Sequence, residues 1–96
     1  MRPSEALARH RDRLSAIAAA RGAGNLRVFG STVRGEDADG SDLDLLIDLP
    51  PDISLFGVIS LELEMEDALG VPVDVATEDE LHPSLKARIL AEARPI

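Results

Sequence analysis

The run Asp42-Leu43-Asp44-Leu45-Leu46-Ile47-Asp48-Leu49 constrains the fold more than any other stretch of this chain. Polar and apolar residues alternate at its start, and Pro50-Pro51 closes it, because proline gives no donor to a ladder. This is the pattern of a strand. Side chains two residues apart share a face, so Asp42 and Asp44 project together while Leu43, Leu45 and Ile47 take the opposite side. Upstream, Asn25 to Phe29 reads as a short strand that enters a turn at Gly30-Ser31. Thr32 to Gly35 is about one helical turn, and Glu36 to Ser41 is a polar loop. Two carboxylates held on one face repel each other unless a cation sits between them. Free N–H groups where a strand opens into a helical turn suit a phosphate. A phosphate cradle beside a carboxylate pair equips a chain for metal-assisted phosphoryl or nucleotidyl transfer.

The other elements follow from periodicity. Ser4 to about Arg21 carries Leu7, Leu14, Ile17 and Ala18 at helical spacing, with Ser4 as the N-cap and Gly22 and Gly24 ending the helix. A second helix runs from a cap at Asp52 or Ser54 to about Leu69. Its broad apolar face comprises Leu55, Val58, Ile59, Leu61, Leu63, Met65 and Leu69, with Glu62, Glu64, Glu66 and Asp67 largely outside it. Val71 to Thr77 is a third strand, and Pro72 favours an edge position or the strand start. Pro83 and Ser84 open a last helix, Leu85 to Ala93. The order is helix, strand, helical turn, strand, helix, strand, helix. It predicts one α/β domain with a small, thin sheet of roughly three strands flanked by helices. A domain of 96 residues with 2% aromatics fills its core with Leu, Val, Ile and Ala and is only marginally stable. The broad face of the 54–69 helix and the short final helix are expected to help bury a partner.

Charge and composition exclude several functions. The formal net charge of −8 gives no general affinity for nucleic-acid backbone, so no direct nucleic-acid binding is expected. The first 34 residues are rich in arginine, whereas most of the acid lies between Glu36 and Glu80. This asymmetry suggests a metal-loaded acidic face and a separate basic helix. The absence of cysteine excludes disulfides and thiolate metal sites. No apolar run is long enough for a membrane span, and MRPSEALARHRDR lacks the apolar segment of a signal peptide. A cytoplasmic location without membrane contact is the expectation.

The run Gly30-Ser31-Thr32-Val33-Arg34-Gly35, followed by Ser41-Asp42-Leu43-Asp44-Leu45 and later by Val73-Asp74-Val75, resembles the signature of the DNA polymerase beta-type nucleotidyltransferase superfamily. The small size and the Gly-Ser-x-x-Arg-Gly form are similar to the minimal nucleotidyltransferases, the MntA-like antitoxins of HEPN toxin–antitoxin pairs. The resemblance spans about Val28 to Thr77. It implies a polymerase beta-like palm with a small mixed β-sheet. It implies that Gly30 and Ser31 hold the β- and γ-phosphates of ATP, with Arg34 contacting phosphate or steadying the turn. Asp42, Asp44 and Asp74 would bind two Mg2+ ions, and Asp74 would help deprotonate the attacking hydroxyl. The implied reaction transfers AMP from ATP to a tyrosine hydroxyl of a HEPN-domain ribonuclease toxin, within a hetero-oligomer. This chain has no tyrosine of its own, so such a target lies on another protein.

Blander readings exist for each feature. Asp42 and Asp44 could be the solvent face of an edge strand, and Gly30 a plain turn glycine. Asp37 to Asp48 half-resembles a calcium loop, but its sixth position is Asp42 where glycine is needed and its last is Asp48 rather than Glu. Glu36, Asp37 and Asp39 read as a solvated loop, Asp48 as strand-end polarity, and His10 and His82 as surface residues. Two further functions stay open: an antitoxin that neutralises its toxin by covering it, and a nucleotidyltransferase acting on a small molecule or a nucleic-acid end.

Overall fold

The computed structural model describes residues 1–96. The elements are α1 (Pro3–Ala20), β1 (Gly24–Phe29), α2 (Ser31–Arg34), β2 (Leu43–Asp48), α3 (Leu55–Leu69), β3 (Val73–Ala76), a 3-10 turn (Glu78–Glu80), α4 (Pro83–Glu92) and β4 (Arg94–Pro95). The sheet order is β3-β2-β1-β4. β2 and β3 run parallel, with α3 as the crossover that parallel strands require. β1 pairs antiparallel with β2 and with β4. The sheet is therefore mixed and helix-flanked as expected, with one more strand than the sequence predicts. β4 is two residues long, too short to carry a period. It exists because Pro95 and Arg94 register against Arg27 and Val28, and because the Ile96 N–H donates to the Leu26 carbonyl at 3.1 Å.

One face of the sheet makes the core. Leu43, Leu45 and Ile47 are fully buried, as the alternation requires, together with Leu14 of α1 and Leu61 and Met65 of α3. Val73 and Val75 join them, which leaves Asp74 on the outer side of β3. Leu46 is also fully buried although it shares parity with Asp44. β2 is an interior strand with neighbours on both edges, and its accessible residues are at its two ends: half-buried Asp44, just after exposed Asp42, and exposed Asp48.

α1 begins one residue earlier than the sequence suggests. Pro3 takes the first helical position, where its fixed φ fits and its missing N–H costs nothing. Arg2 is the N-cap, and the Glu5 carboxylate accepts from the Arg2 N–H at 3.2 Å. Ser4 is thus inside the helix, and its N–H donates to Asp37 Oδ2 at 2.9 Å. Asp37, expected in a solvated loop, is buried at 7% exposure and caps α1 from 33 residues away. The Ser4 N–H holds the Asp37 carboxyl below the ordinary range. Its contribution is therefore present at neutral pH and is lost as the pH falls through that depressed value. Asp37→Ala is expected to cost about 1–2 kcal/mol in urea denaturation at pH 7, as other lost helix caps do. The difference from wild type should vanish in acid, where both chains lack the charge.

α3 splits the face that the sequence reads as single. Ser54 is its cap, accepting from the Gly57 N–H at 3.0 Å. Leu61, Met65 and Leu69 point into the core, whereas Leu55, Phe56, Ile59 and Leu63 form an outer stripe in which Phe56 is 82% exposed. Two acids of α3 turn inward. Glu66 Oε2 accepts from the Val73 N–H at 3.0 Å and Glu62 Oε2 from the Val75 N–H at 2.8 Å. These N–H groups lie on the unpaired side of edge strand β3, so carboxylates occupy donors that would otherwise be left free.

Candidate active site

Sheet register assembles the site. Asp44 of β2 lies opposite Asp74 of β3 on one side and Phe29 of β1 on the other. Phe29 is followed at once by Gly30. The acid pair, the third acid and the glycine turn therefore meet at one end of three neighbouring strands. Asp42 is exposed just before β2, Asp74 is exposed, and Asp44 is half-buried between them. Burial first, and then the charges of Asp74 and Asp42, push the Asp44 carboxyl up to about 6. The three carboxylates thus share one electrostatic neighbourhood, with Arg34 acting against the rise.

Gly30 is required by its backbone and by its neighbour. Its φ of 79° and ψ of −152° lie in a region essentially closed to other residues. A Cβ there would collide with the Asp44 carboxylate. The turn can approach the acid only because position 30 has no side chain. From it α2 starts: the Gly30 carbonyl accepts from the Val33 N–H at 3.1 Å and the Arg34 N–H at 3.3 Å. The Ser31 and Thr32 amides fall in the first turn, where a helix has no carbonyl to offer them.

Arg34 is clamped by two carboxylates. Its Nε donates to Glu36 Oε1 at 2.6 Å, and its Nη1 donates to Glu92 Oε1 at 3.1 Å and Oε2 at 3.2 Å. Glu92, at the end of α4, also accepts from the Gly30 N–H at 2.8 Å. That N–H, followed by Arg34, keeps the Glu92 carboxyl below its ordinary range. Sequence reasoning did not find Glu92. It is a lone acid on a short helix 48 residues after Asp44, and nothing in its local pattern points to the turn.

No group of three acids or histidines is gathered closely enough to enclose a metal unaided. The donor chemistry nevertheless fits magnesium, which takes hard oxygens from one or two carboxylates and fills its remaining positions with water and substrate phosphate. Asp42, Asp44 and Asp74 are the residues able to hold it. The site is an open surface. The largest cleft, about 630 Å³, lies at the other end of β2 among residues such as Pro50, Ile53, Val58 and Glu78, away from the acids. Asp48 sits there, accepting from Asn25 at 3.1 Å and Arg27 at 3.2 Å, the strand-end role expected of it.

Known proteins share this fold. Residues 7–96 match the nucleotidyltransferase domain family. A protein of Methanocaldococcus jannaschii named as a candidate protein adenylyltransferase is 44% identical over 66 residues, 69% of this chain and 71% of that one. The protein adenylyltransferase MntA of Thermococcus cleftensis is 38% identical over 71 residues, 74% of this chain and 72% of that one. A solved structure described as a candidate minimal nucleotidyltransferase superposes with a TM-score of 0.84 at 40% identity, covering 97% of this chain and 95% of the other. A chain from a toxin–antitoxin crystal structure with AMP-PNP shares the fold at a TM-score of 0.72 and 16% identity, over 91% of this chain and 69% of that one. With the Gly-Ser turn, the paired acids and the third acid brought together by this sheet, the chain belongs to the nucleotidyltransferase domain family, in its minimal form.

Proposed function

We propose that this chain is an antitoxin that transfers AMP from ATP to a hydroxyl of a HEPN-domain ribonuclease toxin, in a magnesium-dependent reaction. The observation that carries this reading is the register that sets Asp44 between Asp74 and the Gly30 turn. On this reading the Gly30-Ser31 turn, through the Ser31 and Thr32 amides and the Ser31 hydroxyl, binds the β- and γ-phosphates together with Arg34. Asp42, Asp44 and Asp74 would hold two Mg2+ ions, which when bound neutralise charge on the attacking and leaving oxygens. Asp74, exposed at the rim of the sheet, takes the proton of the acceptor hydroxyl. The acceptor oxygen bonds to the α-phosphorus, the bond from the α-phosphorus to the β-phosphate oxygen breaks, and pyrophosphate leaves. The product carries a bulky negative group where the toxin had a neutral hydroxyl.

Two features support a protein acceptor, and a third bears on where its hydroxyl lies. The site is open rather than a pocket, so a side chain on a large partner can reach it. The Leu55, Phe56, Ile59 and Leu63 stripe offers a surface for such a partner. A tyrosine target has to be supplied in trans, because the chain has none. The relatives named as protein adenylyltransferases and the toxin–antitoxin fold neighbour agree with this reading.

The test is the intact mass of the toxin co-expressed with and without this chain. An increment of one or more AMP units, absent with Asp42→Asn, is the expected result. A toxin neutralised without any change in mass, equally by wild type and by Asp42→Asn, would replace transfer with neutralisation by cover alone.

A further inference from the structure

Glu92 is bound into the nucleotide turn by contacts that core packing does not explain. α4 contains no fully buried residue, so its position is not dictated by the hydrophobic core. The last turn of α4 is instead tied down around Glu92. The Arg94 guanidinium donates through Nη1 to the carbonyls of Ala91, Glu92 and Ala93 at 3.2, 3.0 and 3.1 Å. That contact satisfies carbonyls which a helix end leaves open. Arg94 is itself fixed, because its backbone pairs with Val28 in the sheet. The Glu92 carboxylate, 19% exposed, then spends both oxygens on the site: Oε1 on the Gly30 N–H and on Arg34, and Oε2 on Arg34. With Glu36 holding Nε, the guanidinium is gripped on its Nε and Nη1 edges, and Nη2 makes no hydrogen bond within the chain.

We propose that Glu92 is a positioning residue of the nucleotide site: it fixes the Gly30 turn against Asp44 and presents the free edge of Arg34 to the phosphates of the bound nucleotide. The proposal rests on reading the Gly30-Ser31 turn as the phosphate cradle. A planar guanidinium preorganised by two carboxylates loses less freedom on meeting a phosphate than one swinging in water. The Gly30 N–H is consumed by Glu92 rather than by phosphate, so the cradle consists of the amides that follow it.

The test is titration of the full chain with magnesium AMP-PNP, comparing wild type, Glu92→Gln, Glu92→Ala, Arg34→Ala and the Arg34→Ala/Glu92→Ala double variant. Glu92→Gln keeps an acceptor for the Gly30 N–H and loses the ion pair. Weakening of about threefold in Glu92→Gln and on the order of tenfold in Glu92→Ala is expected, the scale of losing one charge-assisted contact. In the Arg34→Ala background, Glu92→Ala should cost less than in wild type, because one of its two clients is already gone and only the Gly30 N–H contact remains to be lost. In steady-state assays with ATP, KM should rise by a larger factor than kcat falls. The amide resonance of Gly30 in a nitrogen–proton correlation spectrum should move in Glu92→Ala without nucleotide present. Unchanged binding in both Glu92 variants, or effects of Arg34→Ala and Glu92→Ala that simply add, would overturn the proposal. Tighter binding in Glu92→Ala would overturn it too, since the carboxylate would then be a competitor of phosphate. Wild type that fails to bind magnesium AMP-PNP would sink the cradle itself, a result distinct from intact wild-type binding with indifferent Glu92 variants.

Discussion

Asp44→Asn is expected to abolish nucleotidyl transfer while making the protein harder to unfold. If the proposed magnesium-dependent transfer holds, the activity loss should be on the order of a thousandfold or more, because the most central of the three carboxylates would no longer offer charge to the ion. The gain in stability has a different origin. In the folded chain the Asp44 carboxyl is pushed up to about 6 by burial and by the charges of Asp74 and Asp42. In the unfolded chain it titrates near 4. Below about pH 4 both states carry the proton and Asp44 costs nothing. As the pH rises through about 6 the folded state must hold the bare charge, and stability is lost. Asparagine never acquires that charge. The variant's advantage should therefore be absent in acid, grow through pH 5 to 6 and level off above it. Screening at a half-exposed carboxylate holds the plateau to roughly 1 kcal/mol, about 5 °C in Tm for a domain of this size. Thermal melts of both proteins across the pH range give the check. A variant less stable than wild type at pH 8 would show that the Asp44 charge is compensated within the chain.

Gly30→Ala is expected to be the most damaging single methyl in the molecule. Any residue with a Cβ pays about 1–3 kcal/mol to hold a backbone conformation of this kind. Here the new carbon also meets the Asp44 carboxylate, so acid and turn must separate. A displacement of about 1 Å between reacting groups costs on the order of a hundredfold in rate. The variant should lose both stability and transfer, unlike Asp44→Asn, which trades one for the other. Circular dichroism melts with a parallel transfer assay separate the two patterns. Activity within a few-fold of wild type would mean that the turn relaxes without cost.

Most of this architecture was legible in the chain because two strong periods set it. Alternation in Leu43 to Ile47 fixed the buried face of β2, and the valines around Asp74 placed that acid outside. Proline at 72 left an edge position or a strand start open, and the structure has both: β3 is an edge strand and begins at Val73. What escaped has a common cause: each missed contact joins residues far apart, without a local signature. Asp37 caps a helix 33 residues before it. Glu92 reaches a turn 62 residues upstream. β4 is a product of pairing rather than of propensity. The division of the apolar face of α3 has another reason. A helix of fifteen residues with apolar side chains on more than one face exceeds what a small sheet can cover, and periodicity alone does not say which leucines are left over.

The glutamates that occupy the outward amides of β3 have a consequence for recognition. A sheet normally invites lengthening at its margins, where a foreign strand can pick up vacant donors. Here one margin is sealed by Glu62 and Glu66, and the other is a two-residue strand that includes a proline. Neither border offers a template. A partner protein is therefore met by surfaces other than the sheet border, and the exposed phenylalanine on the domain's outer helix is the largest apolar side chain it holds out.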